Sequence, residues 1–239
     1  MTDVRHLRFA NRDFFVGKLY NKDVVLVFSK CGKVSSALTT TILAQEFKIK
    51  KLIFTGVAAG INSELKIGDI VIANKLYQYD MDARPLFPEH EIPLTNKIYY
   101  ETDKTLQEQA RKASETAIRQ VNQTLTQEDR KSLNIKSPQV YLGNIASGDL
   151  FVSHLNYKKL SLREETFALE MEGASVAQVA HDYNLPFIII RTVSDLANKK
   201  SLHNFSLFIE KAAMNYSRAI IENLFNLDQG SQLKFAEGS

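Results

Sequence analysis

The sequence predicts an α/β fold, a single-domain three-layer sandwich in which helices flank a mixed, mostly parallel central sheet. Short, unbroken apolar runs alternate with segments of helical period, as expected for strands that are buried on both faces between helices. No Pro/Gly/Ser-rich linker and no internal repeat divides the first 227 residues. Hydrophobic residues make up 44% of the 239-residue chain, which is enough for a substantial core.

The apolar runs predict five central strands, and apolar residues spaced three and four apart predict three helices. The last helix is the clearest, because one apolar stripe runs from Phe205 to Leu224. From residue 228 to 239 the chain turns polar, and we expect a tail that is disordered or partly a cloning remnant. The predicted strands are 24–28, 52–54, 70–73, 140–142 and 187–190, and the first two helices are 34–47 and 105–125.

Composition narrows the classes of function. The 30 Lys and Arg against 27 Asp and Glu leave a net charge of +3, and the lysines are scattered, which argues against nucleic-acid binding. No apolar run approaches the roughly 20 residues of a membrane span. Cys31 is the single cysteine, so no disulfide framework is expected, and no histidine has zinc-ligand spacing. We expect a cytoplasmic protein without metal or cofactor, and an exported form stays open.

Candidate functional residues follow the ends of the predicted strands, where open α/β sheets bind their ligands. The strand at 52–54 runs into Thr55-Gly-Val-Ala-Ala-Gly60, whose small side chains let a ligand approach the backbone amides. A tight turn with a purely structural purpose explains this run equally well. Its glycine spacing differs from that of a dinucleotide-binding loop.

Two carboxylates, Glu170 and Glu172, precede a segment rich in small residues. Their apolar neighbours Leu169 and Met171 favour burial over a solvated acidic pair. We expect the two side chains to point to opposite sides. One would face a pocket, and the other would make structural hydrogen bonds, for example to the amino end of the following helix.

The strand at 187–190 leads directly to Arg191, Ser194 and Asp195. A carboxylate at the mouth of a buried strand has its pKa raised by desolvation, which suits a proton donor near neutral pH. The alternative is that Asp195 caps the following turn. Arg191 needs a partner inside this apolar strand, because an unpaired buried guanidinium is too costly.

Taken together, these segments resemble the 5′-methylthioadenosine/S-adenosylhomocysteine nucleosidases of the purine nucleoside phosphorylase superfamily. The resemblance extends from about Phe15 to Leu224. Its markers, in chain order, are Ser29-Lys-Cys-Gly-Lys-Val34, Thr55 to Gly60, Lys66-Ile-Gly-Asp-Ile70, Ser147-Gly-Asp149 with Phe151, Glu170-Met-Glu172 and Ser194-Asp195.

The resemblance implies hydrolysis of the N-glycosidic bond of an adenine nucleoside. Asp195, supported by Ser194, would protonate N7 of the adenine, since a neutral leaving base lowers the barrier to an oxocarbenium-like state. Glu172 would bind the ribose hydroxyls, and Arg191 would lie near the attacking water. The further implied substrate contacts are Phe151 stacked on the base, the Val152 backbone, Met171 along the sugar, Glu170, Val57, Ala58, Ala59, Phe205, and Cys31 with Leu86, Phe87 and Pro93 at the 5′ end.

Hydrolysis and phosphorolysis use one fold and one base pocket in this superfamily. Phosphorylases that resemble this chain place an arginine and a Ser/Thr around the glycine turn, where this chain has Thr55 and Val57. Without a cation there, phosphate loses its best local partner, so we expect water as the nucleophile. The alternatives are a purine nucleoside phosphorylase and an adenine-nucleoside binding protein that has lost catalysis. A homodimer that completes the 5′ pocket is also implied.

Two features depart from the family pattern. The family opens with a strand that ends in a Gly-Ala-Met-x-Glu-Glu type motif, whose glutamate activates the water, and this chain lacks that segment. Because loss of a central strand would expose a sheet edge, we expect the native amino end to lie further upstream. The polar stretch 124–137 is longer than in compact members, and we expect a surface insertion there.

Overall fold

A computed structural model of the chain describes residues 1–153 and 157–233. Within them, the strands are β1 (Thr2–Phe9), β2 (Arg12–Leu19), β3 (Lys22–Val27), β4 (Leu52–Gly60), β5 (Ile70–Gln78), β6 (Tyr100–Glu101), β7 (Val140–Ser147), β8 (Thr166–Glu170) and β9 (Phe187–Asp195). The helices are α1 (Lys33–Gln45), α2 (Lys104–Thr124), α3 (Gln127–Ser132), α4 (Gly173–Asp182), α5 (Ser201–Lys211) and α6 (Ala213–Leu233).

The main sheet is mixed and has the strand order β6-β5-β7-β8-β4-β9. The pairs β4–β9, β5–β7 and β7–β8 are parallel, whereas β4–β8 and β5–β6 are antiparallel. An additional antiparallel pairing between β5 and β9 closes the sheet on itself. The predicted mixed α/β architecture with flanking helices is confirmed, and the closure is a feature that the sequence pattern did not predict.

Four of the five predicted strands form the centre of this sheet, as β4, β5, β7 and β9. Strand β9 is buried at all nine of its positions, which explains its continuous apolar run. Two apolar clusters cover the sheet. One lies between the sheet and helices α2, α5 and α6, and the other lies beneath α1 and α4.

The prediction that residues 24–28 form a central strand is wrong. Residues 24–27 lie in β3, at the edge of a separate antiparallel sheet with the order β1-β2-β3, and Phe28 follows the strand. One face of that sheet packs on the core through Phe14, which is fully buried and stacks on Phe47 with ring centroids 5.0 Å apart. The other face is open, so Leu26 and Phe28 are 59% and 76% exposed. An apolar run therefore marked a strand, but it did not reveal which sheet the strand joins.

The helices begin and end close to the predicted positions, with one exception. Helix α2 begins after Asp103, whose carboxylate accepts the backbone N–H of Leu106 at 2.8 Å and so caps the helix. The predicted single helix over the final apolar stripe is divided at Ala212, where φ and ψ are −129° and −34°. The apolar stripe is nevertheless continuous in the sequence, because Phe208 and Tyr216, on either side of the break, pack in the same core cluster.

The stretch 124–137 is polar on its surface, but it is fastened to the core. It contains α3, and Leu125, Leu133 and Ile135 on either side of that helix are buried. The polar tail predicted from residue 228 overlaps α6, which extends to Leu233. Residues 234–239 lie outside the described part of the chain, so the boundary at 227 stays a prediction. None of the described helices is both long and apolar enough to span a bilayer.

Candidate active site

The carboxyl ends of β7, β8 and β9 meet at one end of the sheet, where they bring a cluster of buried polar groups together. Glu170, the last residue of β8, accepts the hydroxyl of Ser147 and the backbone N–H of Gly173 at 2.8 Å. The N–H of Ala174 donates to the Ser147 oxygen at 2.7 Å. Glu170 therefore satisfies donors at the amino end of α4, where the helix dipole favours a negative charge.

Arg191 lies within β9 and is 3% exposed. Its Nη2 atom contacts Glu170 and lies 3.3 Å from an Oε atom of Glu172. The predicted buried partner of this arginine is therefore confirmed. The expectation that the two glutamates point to opposite sides is wrong. Residues two apart in an extended segment share a face, so both carboxylates reach the same guanidinium nitrogen.

The small residue in β4 makes room for this arginine. Gly56 pairs with Arg191 across the parallel strands, and a Cβ atom at Gly56 would lie 1.8 Å from Nη1 of Arg191. The guanidinium also lies over the ring of Phe54, 4.5 Å from its centroid. The expectation that the glycine turn lacks a cation is therefore wrong, because Arg191 supplies one from the neighbouring strand.

Glu172 occupies the N-cap position of α4 and is largely buried, with its side chain 14% exposed. Its carboxylate accepts the backbone N–H of Gly32 at 3.0 Å. Burial raises the pKa of Glu172, the charge of Arg191 opposes that rise, and the neighbouring Glu170 adds to it. Glu172 is thus a carboxylate with one fixed donor and a nearby cation, and it is less buried than Glu170.

Asp195 ends β9 and is 2% exposed. Burial raises the pKa of its carboxyl group, as the sequence predicted, while hydrogen bonds from Ala197, Ser194 and Ser201 partly oppose the rise. The Ala197 N–H donates to Oδ1 at 3.0 Å and the Ser194 hydroxyl to Oδ2 at 3.1 Å. The turn-capping alternative is therefore also correct, because the same carboxyl group holds the turn that follows it.

Aromatic side chains flank this end of the sheet. Phe151 is 38% exposed and meets Phe205 of α5 edge to face, with ring centroids 5.4 Å apart. Val152 is buried in an apolar cluster that also contains Ala59 and Leu169. An exposed ring beside a second aromatic offers a surface on which a flat base can stack.

The remaining predicted contacts lie in different environments. Ala58 and Ala59 are buried, and Val57 and Met171 are partly buried. Cys31 and Leu86 are exposed, whereas Phe87 and Pro93 are partly buried. The assignment of these residues to substrate contacts stays a prediction.

Lys33 and Asp149 belong to the family motifs in the sequence, but the sequence predicted no role for either residue. The N–H of Lys33 donates to Asp149 at 2.8 Å, and its ammonium group contacts Asp80 at 2.6 Å. Asp80 in turn accepts the N–H of Asp149 at 3.0 Å. Together with the bond from Gly32 to Glu172, these contacts fix the amino end of α1 against the site. The presence of Lys33 and Asp149 in motifs shared with the family was the sequence signal that could have suggested these contacts.

Among the side chains that the structure describes, no group of three or more His, Cys, Asp or Glu is arranged to hold a metal ion. The polar groups of the site are instead paired carboxylates, one arginine and hydroxyls. Such an arrangement can position a sugar by hydrogen bonds and hold a proton on a buried carboxyl group.

Comparisons with known proteins agree with this fold. The sequence profile of the phosphorylase superfamily matches residues 2–226. A 5′-methylthioadenosine/S-adenosylhomocysteine nucleosidase of Staphylococcus haemolyticus is 34% identical over 230 residues, which cover 95% of this chain and 92% of that protein. The corresponding enzyme of Bacillus cytotoxicus is 35% identical over 222 residues, covering 91% and 87%.

Solved structures of the same kind are also similar. The nucleosidase of Colwellia psychrerythraea in complex with adenine has a TM-score of 0.75 at 29% identity, covering 94% of this chain and 86% of that one. A futalosine hydrolase of Helicobacter pylori has a TM-score of 0.75 at 31% identity, covering 93% and 88%.

The profile match over residues 2–226 and the similar solved structures show that this is a protein of the phosphorylase superfamily. Within that superfamily, the chain belongs to the 5′-methylthioadenosine/S-adenosylhomocysteine nucleosidase family, since relatives above 30% identity cover more than nine-tenths of it. The family resemblance inferred from the motifs is confirmed.

Proposed function

We propose that this protein hydrolyses the N-glycosidic bond of 5′-methylthioadenosine and S-adenosylhomocysteine, releasing adenine and the thioribose product. The observation that carries the proposal is the pair of buried carboxyl groups, Asp195 and Glu172, in environments that differ. Asp195 faces hydroxyl and amide donors, whereas Glu172 lies beside a guanidinium. Two carboxyl groups with distinct surroundings suit two roles, an acid and a charge stabiliser.

Asp195 is the acid of this proposal. Burial favours its protonated form, so a proton is available for N7 of the adenine as the bond to the sugar breaks. Ser194 keeps the carboxyl group oriented through its 3.1 Å hydrogen bond. Protonation makes the base a neutral leaving group, which lowers the energy of the transition state more than that of the bound substrate.

Glu172 binds the ribose hydroxyls and stabilises the positive charge that develops on the sugar ring. Its hydrogen bond from Gly32 and its contact with Arg191 hold the carboxylate in one orientation, which reduces the reorganisation needed during the reaction. Glu170 orients Arg191 and the start of α4, and Arg191 lies near the attacking water. Substrate contacts also come from Met171 at the sugar, from Phe151, Val152 and Phe205 at the base, from Val57, Ala58 and Ala59 at the glycine turn, and from Cys31 at the 5′ end.

Water is favoured over phosphate on charge grounds. Arg191 lies at the glycine turn, but its Nη2 atom already contacts Glu170 and Glu172. When both carboxylates are ionised, the three side chains carry a net negative charge, which repels a phosphate dianion. Because its two carboxylate partners outweigh its charge, the cation at the turn is not a phosphate site, and we favour hydrolysis over phosphorolysis.

Product analysis with and without phosphate tests the proposal. The protein is incubated with 5′-methylthioadenosine and with S-adenosylhomocysteine, and adenine and the sugar product are identified by mass spectrometry. Free thioribose at a rate independent of phosphate supports the hydrolase. A sugar phosphate that forms only when phosphate is added would establish a phosphorylase, and tight adenine binding without turnover would establish a binding protein. Futalosine belongs in the same substrate panel, because a futalosine hydrolase shares the fold at a TM-score of 0.75.

A homodimer and a cytoplasmic location complete the proposal. Val34 and Leu38 lie four residues apart on one face of α1 and are 80% and 41% exposed. An exposed apolar face on a helix that touches the site is a suitable surface for a second copy of the chain. Sedimentation of the purified protein tests this point, and fractionation of the source cells tests the location.

A further inference from the structure

The 124–137 stretch has no part in the proposed chemistry, yet the core holds it firmly. Thr126 caps α3 by accepting the N–H of Asp129 at 3.0 Å. Leu133 and Ile135, which follow the helix, are buried in the same cluster as Phe208 of α5. This stretch is therefore packed into the core and does not lie only on the surface.

Asp129 joins the 124–137 stretch to α5. One of its carboxylate oxygens lies 2.7 Å from Nζ of Lys211, the last residue of α5, and the other accepts the Thr126 hydroxyl at 2.7 Å. The side chains of Asp129 and Lys211 are 25% and 28% exposed. This partial shielding makes the ion pair less sensitive to solvent screening than a fully exposed pair.

The other parts of α5 contact the candidate active site. Its first residue, Ser201, is 1% exposed and donates its hydroxyl to the carbonyl oxygen of Asn198 at 2.8 Å, in the segment that leads from Asp195 into the helix. Phe205, in the next turn, meets Phe151 edge to face. Helix α5 therefore extends from the proposed acid, past the proposed base-stacking ring, to the ion pair with α3.

We propose that α3 is a brace for α5, and that Asp129 and Lys211 are positioning residues for adenine binding. The ion pair holds the carboxyl end of α5, so that Ser201 and Phe205 stay against the site. This inference rests on the proposed function, because it takes adenine as the base that Phe151 and Phe205 bind.

Removal of either charge tests the brace. In Asp129→Asn, the amide oxygen can still accept the Thr126 hydroxyl, so the cap of α3 is preserved while the ion pair is lost. Lys211→Met removes the same pair from the other side. We expect each variant to weaken adenine binding and to raise KM by about two- to fivefold, the range for a partly exposed ion pair. The value of kcat should change less than KM, because neither residue touches the substrate.

Three further variants separate positioning from a general loss of stability. The double variant Asp129→Asn/Lys211→Met should bind adenine no more weakly than either single variant, since both remove one interaction. Lys211→Arg should restore most of the affinity. The control Glu222→Gln breaks a 2.7 Å ion pair with Arg218 on α6 and should leave adenine affinity unchanged.

Calorimetric titration with adenine and thermal unfolding of each variant decide the outcome. Unchanged adenine affinity in both single variants would overturn the brace, as would additive losses in the double variant or an equal loss in Glu222→Gln. If the unaltered protein binds adenine but cleaves no nucleoside, the proposed hydrolysis fails while the brace can still be measured. If it does not bind adenine, both proposals fail.

Discussion

Replacement of Asp195 by asparagine removes the proposed proton donor with little change in shape. The amide oxygen can still accept the N–H of Ala197, which lies 3.0 Å from the carboxylate oxygen. The turn after β9 should therefore survive. The carboxyl proton is lost, so the adenine must leave without protonation by this side chain.

The expected loss of activity is large, whereas the expected loss of stability is not. A positioned general acid contributes about 10²- to 10⁴-fold, which corresponds to roughly 3–5 kcal/mol in the barrier. Burial raises the folded-state pKa of Asp195, so the folded state favours the protonated carboxyl group. The stability that this preference provides is complete below the unfolded-state pKa and is lost as the pH rises through the folded-state pKa.

Asparagine is neutral at every pH, so Asp195→Asn should unfold at neutral pH at the same temperature as the unaltered protein or higher. The measurements are kcat/KM for adenine release and Tm at neutral pH and in mild acid. Ser194→Ala is the matched control, because it keeps the carboxyl group and removes one of its donors. An activity loss below tenfold in Asp195→Asn, or a clear fall in its Tm at neutral pH, would refute the assignment of Asp195 as a buried acid.

The other predictions concern the arginine cluster and the aromatic pair. Glu172→Gln should lower kcat/KM about 10- to 150-fold, equivalent to the loss of one charged hydrogen bond of roughly 1.5–3 kcal/mol. Gly56→Ala should displace Arg191, because the new Cβ would lie 1.8 Å from its Nη1 atom. We expect this overpacking to cost about 2–3 kcal/mol and to lower Tm by roughly 4–12 °C. Phe205→Ala should weaken adenine binding about two- to tenfold, because an aromatic pair contributes roughly 0.5–1.5 kcal/mol.

Each of these predictions has an outcome that would contradict it. Full activity in Glu172→Gln would exclude a charge-stabilising role for that carboxylate. An unchanged Tm in Gly56→Ala would mean that Arg191 has another place to lie. If Phe205→Ala binds adenine as tightly as the unaltered protein, the pair of rings is not part of the base site.

The sequence predicted individual strands well because a strand that is buried on both faces is apolar at consecutive positions. The runs that became β4, β5, β7 and β9 are apolar because each lies inside the sheet. The run at 24–28 has the same apolar pattern, yet it belongs to a different sheet. Strand pairing depends on contacts between distant segments, and the local pattern carries no information about it.

Part of the candidate site could be predicted because a buried charged side chain needs a partner of opposite charge. A buried arginine needs a carboxylate, so the partner of Arg191 could be expected before the structure was known. Its location beside Gly56 could not, because that contact depends on the register between β4 and β9. The break at Ala212 was hidden for a similar reason, since Phe208 and Tyr216 face one core from two helices.

The contacts that anchor the amino end of α1 could not be predicted from the sequence either. Gly32 and Lys33 contact Glu172 and Asp149, which lie more than one hundred residues away in the chain. Backbone amides make these bonds, and every residue type except proline can supply a backbone amide. No pattern of side chains could have identified them.

In the proposed reaction, water attacks the sugar carbon from which adenine departs. The most direct test is to run the reaction on 5′-methylthioadenosine in water enriched with heavy oxygen, to reduce the sugar at once, and to measure its mass. Authentic thioribose incubated in the same water gives the background exchange. Hydrolysis places one heavy oxygen in the sugar product, above that background, in buffer that contains no phosphate. A sugar without the label, or a product that forms only as a sugar phosphate, would contradict it.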